Sequence, residues 1–561
     1  MKALLCGFSF VVLAVGSGCE SRGSGPQDAG NNVTDGGLQD AGTGLADTAN
    51  SIGVVTGAGR TDPEGTAPAS PSTSRVTWRD ARGAERTATL YGYLYQYDFS
   101  FVGGNADTTQ VTQVTANDNA DGHPGFGYVV SHNTETGNSP LGKANAPTSV
   151  QTKVFSGGHH AIHHIELIYA RDHESGGNGI QIPVVIEWFV ATGRDHPVWS
   201  VTWKEGSAVN PSSVDFNAYR MDTRGPYGSL NWDGASSPAS GDTIGGVAWG
   251  DFGLQFTTTD SELTLNSHWT YDTANTINFV HAWTQTTNAE MGIVQTRPGD
   301  KELGYPDRVY GRERGSTSAL AYTGKGDCSG LGDARKYSMP CVDGWAYQMM
   351  NFDWDPGSGK PVTEATSTKL MAWGSSYGWL GATDDNLFDF SATVDARGDR
   401  SYATFVVMGP KCRYAGGGSC SLSGDVADVL DDVDALTSAS LTPSVGSLAA
   451  AAPKGPGASE TKALTNGYDD TYAVFTLNAV SNQVAFTFTP APGKPVRSPI
   501  FRIHGYTAGQ LPTVSVGGSS VSVNSGATNS GAFVSLDTTT NDLWVTLNQT
   551  LASAADVRVG Q

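Results

Sequence analysis

Basic residues are scarce in this chain: Lys and Arg number 34 against 55 Asp and Glu, for a formal net charge of −21 at pH 7. Without a basic surface, nothing displaces the counterions of a phosphate backbone, so nucleic acid is not an expected partner. Charged residues of both signs make up only 16% of the 561 residues, a share that argues against coiled coils and helical enzymes. The P-loop and the haem-attachment motif C-x-x-C-H are absent, so nucleotide and haem functions have no motif support.

Cysteine is rare, with six in the whole chain. Cys6 and Cys19 belong to the N-terminal segment, which leaves two close pairs, Cys328/Cys341 and Cys412/Cys420. An even number at short spacing in an exported protein predicts two local disulfides, Cys328–Cys341 and Cys412–Cys420. A zinc site made of all four cysteines is the alternative, but no C-x-x-C spacing supports it.

The apolar run at the N-terminus, Ala3–Val15, follows a basic Lys2 and is too short to span a bilayer as a mature helix. It ends in Gly-Ser-Gly-Cys at residues 16–19, which resembles the lipobox of bacterial lipoproteins. The resemblance implies that residues 1–18 are a signal peptide, that Cys19 is lipidated, and that Glu20 directs the protein to the outer membrane. An ordinary secretory signal with an incidental cysteine is the alternative. Both predict export.

Composition divides the rest of the chain. Residues 19–74 are rich in Gly, Asp, Pro and Ser and poor in aromatics, which predicts a disordered tether; its Asp-Ala-Gly tracts resemble surface lipoproteins of myxobacteria. Residues 75–440 predict a large β-domain, residues 441–462 a linker, and residues 463–561 a small β-sandwich module. One stretch, Gly424–Ser438, has apolar residues at helical spacing, with Ser423 as the predicted cap.

Glycine is abundant, with 71 residues, and many short runs of β-branched and aromatic residues alternate with turn residues. The fold class is therefore predicted to be all-β: a large antiparallel β-sandwich followed by a small one. Three strands, His163–Ala170, Ile182–Ala191 and Val198–Lys204, form the stretch around which the chain is organised.

Four histidines, His159, His160, His163 and His164, precede and enter the first of these strands. Alternation places His160, His164 and Glu166 on one face and His163 on the other. If the second face is core, Glu166 lies beside His164 on a solvated face, where it orients the imidazole and raises its pKa. General-base catalysis and metal binding with His160 are the functional interpretations. The alternative is that the histidines are satisfied structurally at the entry of a strand.

Two carboxylates are candidates for acid–base chemistry. Glu187 lies inside the apolar run VVIEWFV, and Glu290 precedes the strand MGIVQT. A carboxylate within an apolar strand must be paired or protonated, and a raised pKa suits the general acid of a glycosidase. An ion pair of Glu187 with Arg194 or Arg220 is an equally good explanation.

The loop Arg224–Gly234 combines a cation, a phenol, an amide and an aromatic ring in one glycine-rich segment. Sugars present apolar ring faces and many hydroxyls, so such a set suits a polysaccharide. The predicted substrate-binding residues are Arg224, Asn231, Trp232 and Trp249. Trp residues at the surface rather than in the core would distinguish this prediction from an ordinary core.

The segment VVIEWFVATGRDHPVWSVTWK is similar in texture to the β-sandwich of polysaccharide lyases and mutarotase-like domains. For a lyase, this resemblance implies His163 or His164 as the base, Arg224 neutralising a uronate carboxylate, and Tyr227 protonating the leaving oxygen. For a glycosidase, Glu187 and Glu290 are the candidates. No cofactor is expected, and a metal is left open. The predicted function is a surface-anchored enzyme that cleaves a polysaccharide; the alternative is a glycan-binding or adhesion lipoprotein, with the lipid anchor as its one membrane contact.

Overall fold

The computed structural model describes residues 52–56, 74–79, 85–91, 94–102, 111–117, 128–130, 147–171, 180–204, 221–230, 244–250, 255–257, 269–270, 279–284, 289–296, 308–313, 350–355, 360–361, 371–373, 376–380, 399–414, 420–449, 466–524 and 531–560. These residues are mostly strands with one α-helix, which confirms the prediction of an all-β fold. No helix in this described part is long and apolar enough to cross a membrane.

Two large sheets precede the helix, and strands are numbered along the chain. In the described residues, the first sheet comprises β1 Gly53–Thr56, β2 Ser74–Arg79, β3 Glu85–Tyr91, β4 Leu94–Val102, β5 Val111–Asn117, β6 Tyr128–Val130, β11 Met221–Leu230, β14 Trp269–Thr270, β17 Arg308–Glu313, β18 Met350–Asp355, β19 Lys360–Pro361, β20 Met371–Trp373 and β21 Ser376–Leu380. The second comprises β7 Pro147–Ser156, β8 His160–Arg171, β9 Ile180–Ala191, β10 Val198–Lys204, β12 Ile244–Gly250, β13 Gln255–Thr257, β15 Phe279–Thr284, β16 Ala289–Gln295 and β22 Asp399–Pro410.

The remaining described elements follow residue 411. A hairpin, β23 Cys412–Tyr414 and β24 Cys420–Ser423, leads into helix α1, Asp425–Ser438. The C-terminal module contains β25 Ser440–Val445, β26 Ser447–Leu448, β27 Tyr468–Asp469, β28 Val474–Asn478, β29 Val484–Thr489, β30 Val496–Arg497, β31 Ile500–His504, β32 Thr513–Val516, β33 Ser519–Val521, β34 Ala532–Asp537, β35 Asp542–Leu547, β36 Thr550–Leu551 and β37 Ala555–Gly560.

The second sheet has the order β13-β12-β15-β16-β22-β10-β9-β8-β7, with antiparallel pairing throughout. One of its faces carries Ile165, Ile186, Trp188 and Trp199, and all four are buried. Strands β10, β16 and β22 contact β4, β5 and β11 of the first sheet, and the indole of Trp78 in β2 donates to the carbonyl of Arg194 at 3.2 Å. The two sheets therefore pack as a sandwich.

The opposite face of the second sheet is also largely buried. It contributes to one continuous apolar core together with α1 and the C-terminal module, through Ile162, Phe189, Val198, Val294, Phe405 and Val407. The module and the second sheet therefore share a core. Full burial of each large apolar side chain contributes about 1.5–3 kcal/mol to stability.

Helix α1 buries the predicted stripe, Val426, Val429, Leu430, Val433 and Leu436. The prediction of Ser423 as its cap is wrong, because Ser423 ends β24 and Gly424 occupies the N-cap position without a side-chain hydrogen bond. A Cβ on Gly424 would lie 1.9 Å from the carbonyl oxygen of Lys411, so only glycine fits this approach. The first turn is capped from the sheet instead, as described below for Glu290.

Two segments differ from the domain organisation predicted from composition. Residues 53–56, within the predicted tether, form β1 and pair with β2. The preceding Ile52 is buried and donates its amide to the carbonyl of Gly158 at 2.6 Å. Residues 441–448, within the predicted linker, lie in β25 and β26, which pair with β29 and β28 of the module. Strand pairing satisfies the backbone in both segments, which their turn-rich composition did not indicate.

Candidate functional site

The histidine cluster divides between the two faces of β8, as alternation predicts. His160 is fully buried where the module covers the sheet. Its Nδ1 lies 2.9 Å from Ser535 Oγ and its Nε2 2.8 Å from Thr546 Oγ1, both in the module. Burial lowers the pKa of His160 well below its ordinary value. These contacts make His160 a structural link between the sheet and the module and leave no ring nitrogen for a metal.

His163 lies on the opposite face, opposite Trp188, and is 1% exposed. Burial lowers its pKa from 6.5 to about 3, so the imidazole stays neutral at physiological pH. A neutral imidazole could accept a proton, but a polymer cannot reach one enclosed between two sheets. The geometry therefore does not support His163 as the base of a lyase.

His164 is half-buried, and both of its ring nitrogens face carboxylates. Nδ1 lies 2.7 Å from Glu187 Oε1, and Nε2 lies 2.9 Å from Glu166 Oε1. The hydrogen bond with Glu187 is the main cause of a raised pKa for His164, and the bond with His164 is the main cause of a lowered pKa for Glu166. Lys153 on β7 donates to Glu166 Oε1 at 3.2 Å. A charged imidazole between two carboxylates is a donor at both nitrogens, which makes it a poor base.

Glu187 is bound on its other oxygen by Tyr472. The phenol donates to Glu187 Oε2 at 2.5 Å, and the buried position of Tyr472 raises its pKa well above the ordinary value. Arg194, a partner expected for Glu187, instead donates to the carbonyls of Tyr472 and Ala473, each at 2.7 Å. Tyr472 lies in the module, and no local sequence signal relates it to a strand 285 residues away.

Lys153, His164, Glu166, Glu187 and Tyr472 together form what we call the His164 cluster. It extends from Lys153, which is 68% exposed, through Glu166 and His164, to the buried phenol of Tyr472 at the boundary with the module. Donors alternate with carboxylates along it, and each hydrogen bond joins a donor of one residue to a carboxylate of the next. The outer end of this cluster is exposed to solvent.

Glu290 has a different role from the one predicted. It is almost fully buried, its Oε1 accepts the amide of Val426 in the first turn of α1 at 2.8 Å, and its Oε2 lies 2.9 Å from His281 Nδ1. A carboxylate at this position satisfies a free amide and complements the helix dipole. Glu290 is therefore a helix cap supplied by the sheet.

The two predicted glycosidase carboxylates do not meet. Glu187 lies opposite Ser200, and Ser200 lies opposite Ala403. Glu290 lies opposite Gly409, six residues further along β22. Six residues and three strand spacings separate the two carboxylates by about 25 Å, whereas glycosidase pairs lie about 5–10 Å apart. The pairing of Glu187 with Glu290 is therefore wrong, because the strands carrying them are not neighbours.

Other predicted residues lie apart from the His164 cluster or outside the described residues. Arg224 and Tyr227 belong to β11 of the first sheet and Trp249 to β12 of the second, and their side chains lie outside the described part. Outside it altogether are Asn231, Trp232, Arg220, Cys19, Cys328 and Cys341. Cys412 and Cys420 lie on the paired strands β23 and β24, and the disulfide between them stays a prediction.

Within the described residues, no group of three or more His, Cys, Asp or Glu side chains is arranged to hold a metal ion. Neither a known protein family nor a curated protein sequence matches the chain.

Proposed function

We propose that this chain is an exported protein, anchored at the cell surface through lipidated Cys19, that binds a polysaccharide at the outer end of the His164 cluster. The observation that supports this most is the continuous row of donors and acceptors from Lys153 to Tyr472, which is open at one end. Sugar hydroxyls both donate and accept, so alternating carboxylates and cations offer complementary partners for neighbouring hydroxyls. A formal net charge of −21 favours a neutral polymer over a polyanion.

Binding fits the described residues better than cleavage does. A base is needed for β-elimination, yet His163 is enclosed and His164 is a donor to two carboxylates. A pair of carboxylates is needed for hydrolysis of a glycosidic bond, and Glu187 and Glu290 are too far apart. Of the residues predicted from sequence as catalytic, His164, Glu187 and Glu290 therefore have other partners in the folded chain.

Cleavage is the second candidate, and one observation favours it. The half-buried His164, Glu187 and Tyr472 form a hydrogen-bonded chain between an imidazole, a carboxylate and a phenol. Such a chain moves protons between its members when a substrate changes their partners. Lyase chemistry would require Tyr472 to become accessible, because the phenol is buried in the described structure.

Binding is tested with the full chain and insoluble polysaccharides, including cellulose, chitin, xylan and starch, by depletion from solution. Glu166→Gln keeps the size of the side chain and removes its charge, and a matched control, Lys494→Gln, breaks an ion pair with Asp434 in a different region. We expect Glu166→Gln to weaken binding about tenfold or more, because a hydrogen bond to a charged group contributes about 1.5–3 kcal/mol, while the control binds like the wild type.

The same samples distinguish the two candidates. Products that absorb near 235 nm indicate β-elimination, and new reducing ends without that absorbance indicate hydrolysis. Either result would replace binding by cleavage as the function. Equal binding of the wild type and Glu166→Gln, or no binding to any polymer, would refute a site at the His164 cluster.

A further inference from the structure

A second histidine–carboxylate pair lies in the module, at the adjacent ends of β31 and β35. Asp542 pairs directly across from His504, and its side chain is only 2% exposed. Its Oδ2 accepts from Arg502 Nε at 2.9 Å and from Arg502 Nη2 at 2.6 Å. Its Oδ1 lies 2.5 Å from His504 Nδ1. Asp542 thus has partners on both oxygens and is fixed in place.

Asp542 stays ionised in this environment. Burial alone would raise its pKa, but the hydrogen bond from His504 and the charge of Arg502 hold the pKa below the usual range. An ionised carboxylate only accepts hydrogen bonds, so Nδ1 of His504 carries the proton that faces it. In the neutral imidazole the lone pair is therefore on Nε2. The His504 side chain is 35% exposed, which makes it accessible from solvent.

Other histidines of the described part lack this combination. His160 has both ring nitrogens against hydroxyls, and His164 has both against carboxylates. His159, His163 and His196 are buried, and His281, whose Nδ1 faces Glu290, is 14% exposed against 35% for His504. For His504, Asp542 is the partner that the structure records for the ring among the described residues. His504 thus combines an oriented ring with exposure.

We propose that His504 is a general base that activates water for the hydrolysis of an acyl ester, with Asp542 as its positioning residue. Nε2 takes a proton from water, and the water oxygen forms a bond to the carbonyl carbon of the ester. The tetrahedral intermediate then breaks its bond to the alcohol oxygen, and the imidazolium returns the proton to the departing alcohol. The products are a carboxylic acid and an alcohol, and the histidine is regenerated.

The chemistry of the pair favours an ester over a glycosidic bond. An ester carbonyl is electrophilic enough for attack by a water that a single imidazole deprotonates, whereas a glycosidic bond needs a separate acid for its leaving group. Water is the proposed nucleophile, because among the described residues the recorded partner of the His504 ring is a carboxylate and not a hydroxyl. The G-x-S-x-G match at Gly374–Gly378 has its serine, Ser376, as the first residue of strand β21, whereas a nucleophile elbow lies between the end of a strand and the start of a helix. This proposal does not depend on the proposed binding of a polysaccharide.

The test uses the full chain with 4-nitrophenyl acetate, and nitrophenol release is followed at neutral pH. His504→Ala removes the base from a partly exposed position, so the fold is expected to persist, and the circular dichroism spectrum checks this. General-base catalysis contributes about 10²–10⁴-fold, so we expect a loss of at least about 100-fold. The matched control His281→Ala removes another histidine that pairs with a carboxylate, Glu290, and it should retain the rate.

Chemical rescue separates catalysis from a structural effect. Added imidazole can replace the missing base in His504→Ala and should restore part of the rate, while it adds only its ordinary solution rate to the control.

Asp542→Asn tests the positioning role: it should lower the rate about tenfold or more and change the pH at which the rate is half-maximal. Among the described residues in register with His504, the ionisable groups are Arg502 on its own strand, Asp542 on β35 and Asp537 on β34, while Asn478 on β28 is uncharged. A wild-type rate equal to that of His504→Ala, or no rescue by imidazole, would overturn the proposal.

Discussion

Acid should destabilise the fold through His163, and His163→Gln should remove that effect. The pKa of His163 is about 3 in the folded chain and about 6.5 when the residue is exposed. Below pH 6.5 the unfolded chain therefore binds a proton that the folded chain does not, so stability is present above pH 6.5 and is lost as the pH falls toward 3.

The magnitude follows from the two pKa values. The two pKa values differ by about 3.5, and one pKa unit corresponds to about 1.4 kcal/mol. The free energy of unfolding is therefore lowered by about 5 kcal/mol in total once the pH is below 3. Between pH 7 and pH 5 the loss from this residue is about 2 kcal/mol. Glutamine does not titrate, so the stability of His163→Gln relative to the wild type should rise by that amount over the same interval.

The assay is urea unfolding at pH 7 and pH 5, followed by the fluorescence of the buried tryptophans such as Trp188 and Trp199. His164→Gln gives a control of opposite sign. Because its carboxylate partners raise the pKa of His164, its stabilisation is fully present below pH 6.5 and is lost as the pH rises through the folded value, so this variant should lose more stability at pH 5 than at high pH. A gap between the wild type and His163→Gln that stays constant from pH 7 to pH 5 would refute a buried, neutral His163.

Three further predictions concern the surroundings of α1. Glu290→Gln should lower the free energy of unfolding by about 1–2 kcal/mol, measured in urea, because it removes the negative charge at the helix N-terminus; an unchanged stability would contradict the capping role. Arg86→Met should cost about 3–5 kcal/mol, because it leaves the fully buried Asp425 without the cation 3.3 Å from its Oδ2, and a loss below 1 kcal/mol would argue against that role. Peptide mass mapping without reductant should recover Cys412 and Cys420 in one linked peptide, and two free thiols would reject the disulfide.

Local pattern was sufficient for the elements near the candidate site. The three strands predicted around residues 163–204 correspond to β8, β9 and β10, and the helix predicted at Gly424–Ser438 corresponds to α1. Alternation also predicted that His164 and Glu166 share a face and that a carboxylate raises the pKa of His164. The strands, the helix and the shared face of His164 and Glu166 depend on residues a few positions apart, which a sequence displays directly. The main cause of the raised pKa of His164, Glu187, lies on the neighbouring strand β9.

Partners from distant parts of the chain could not be predicted. Glu187 accepts a hydrogen bond from Tyr472, and the ring of His160 contacts the hydroxyls of Ser535 and Thr546. Glu290 accepts a hydrogen bond from the backbone amide of Val426. Each pair is separated by more than 100 residues, and polar residues of these types are common in the chain. The predicted linker, residues 441–462, begins within β25, which contains Pro443 and is an edge strand, where a proline is tolerated.

The sequence alone determined the all-β class, the faces of the strands and the position of the helix, because period and turn residues act locally. It also carried the prediction of export. Only the tertiary structure decided which titratable residues are enclosed and which remain accessible. Both faces of the second sheet are covered, one by the first sheet and the other by α1 and the module, so His160, His163 and Glu290 are buried. His164 on this sheet and His504 in the module stay partly exposed. Burial and partner then decide protonation, and protonation decides what each side chain can do.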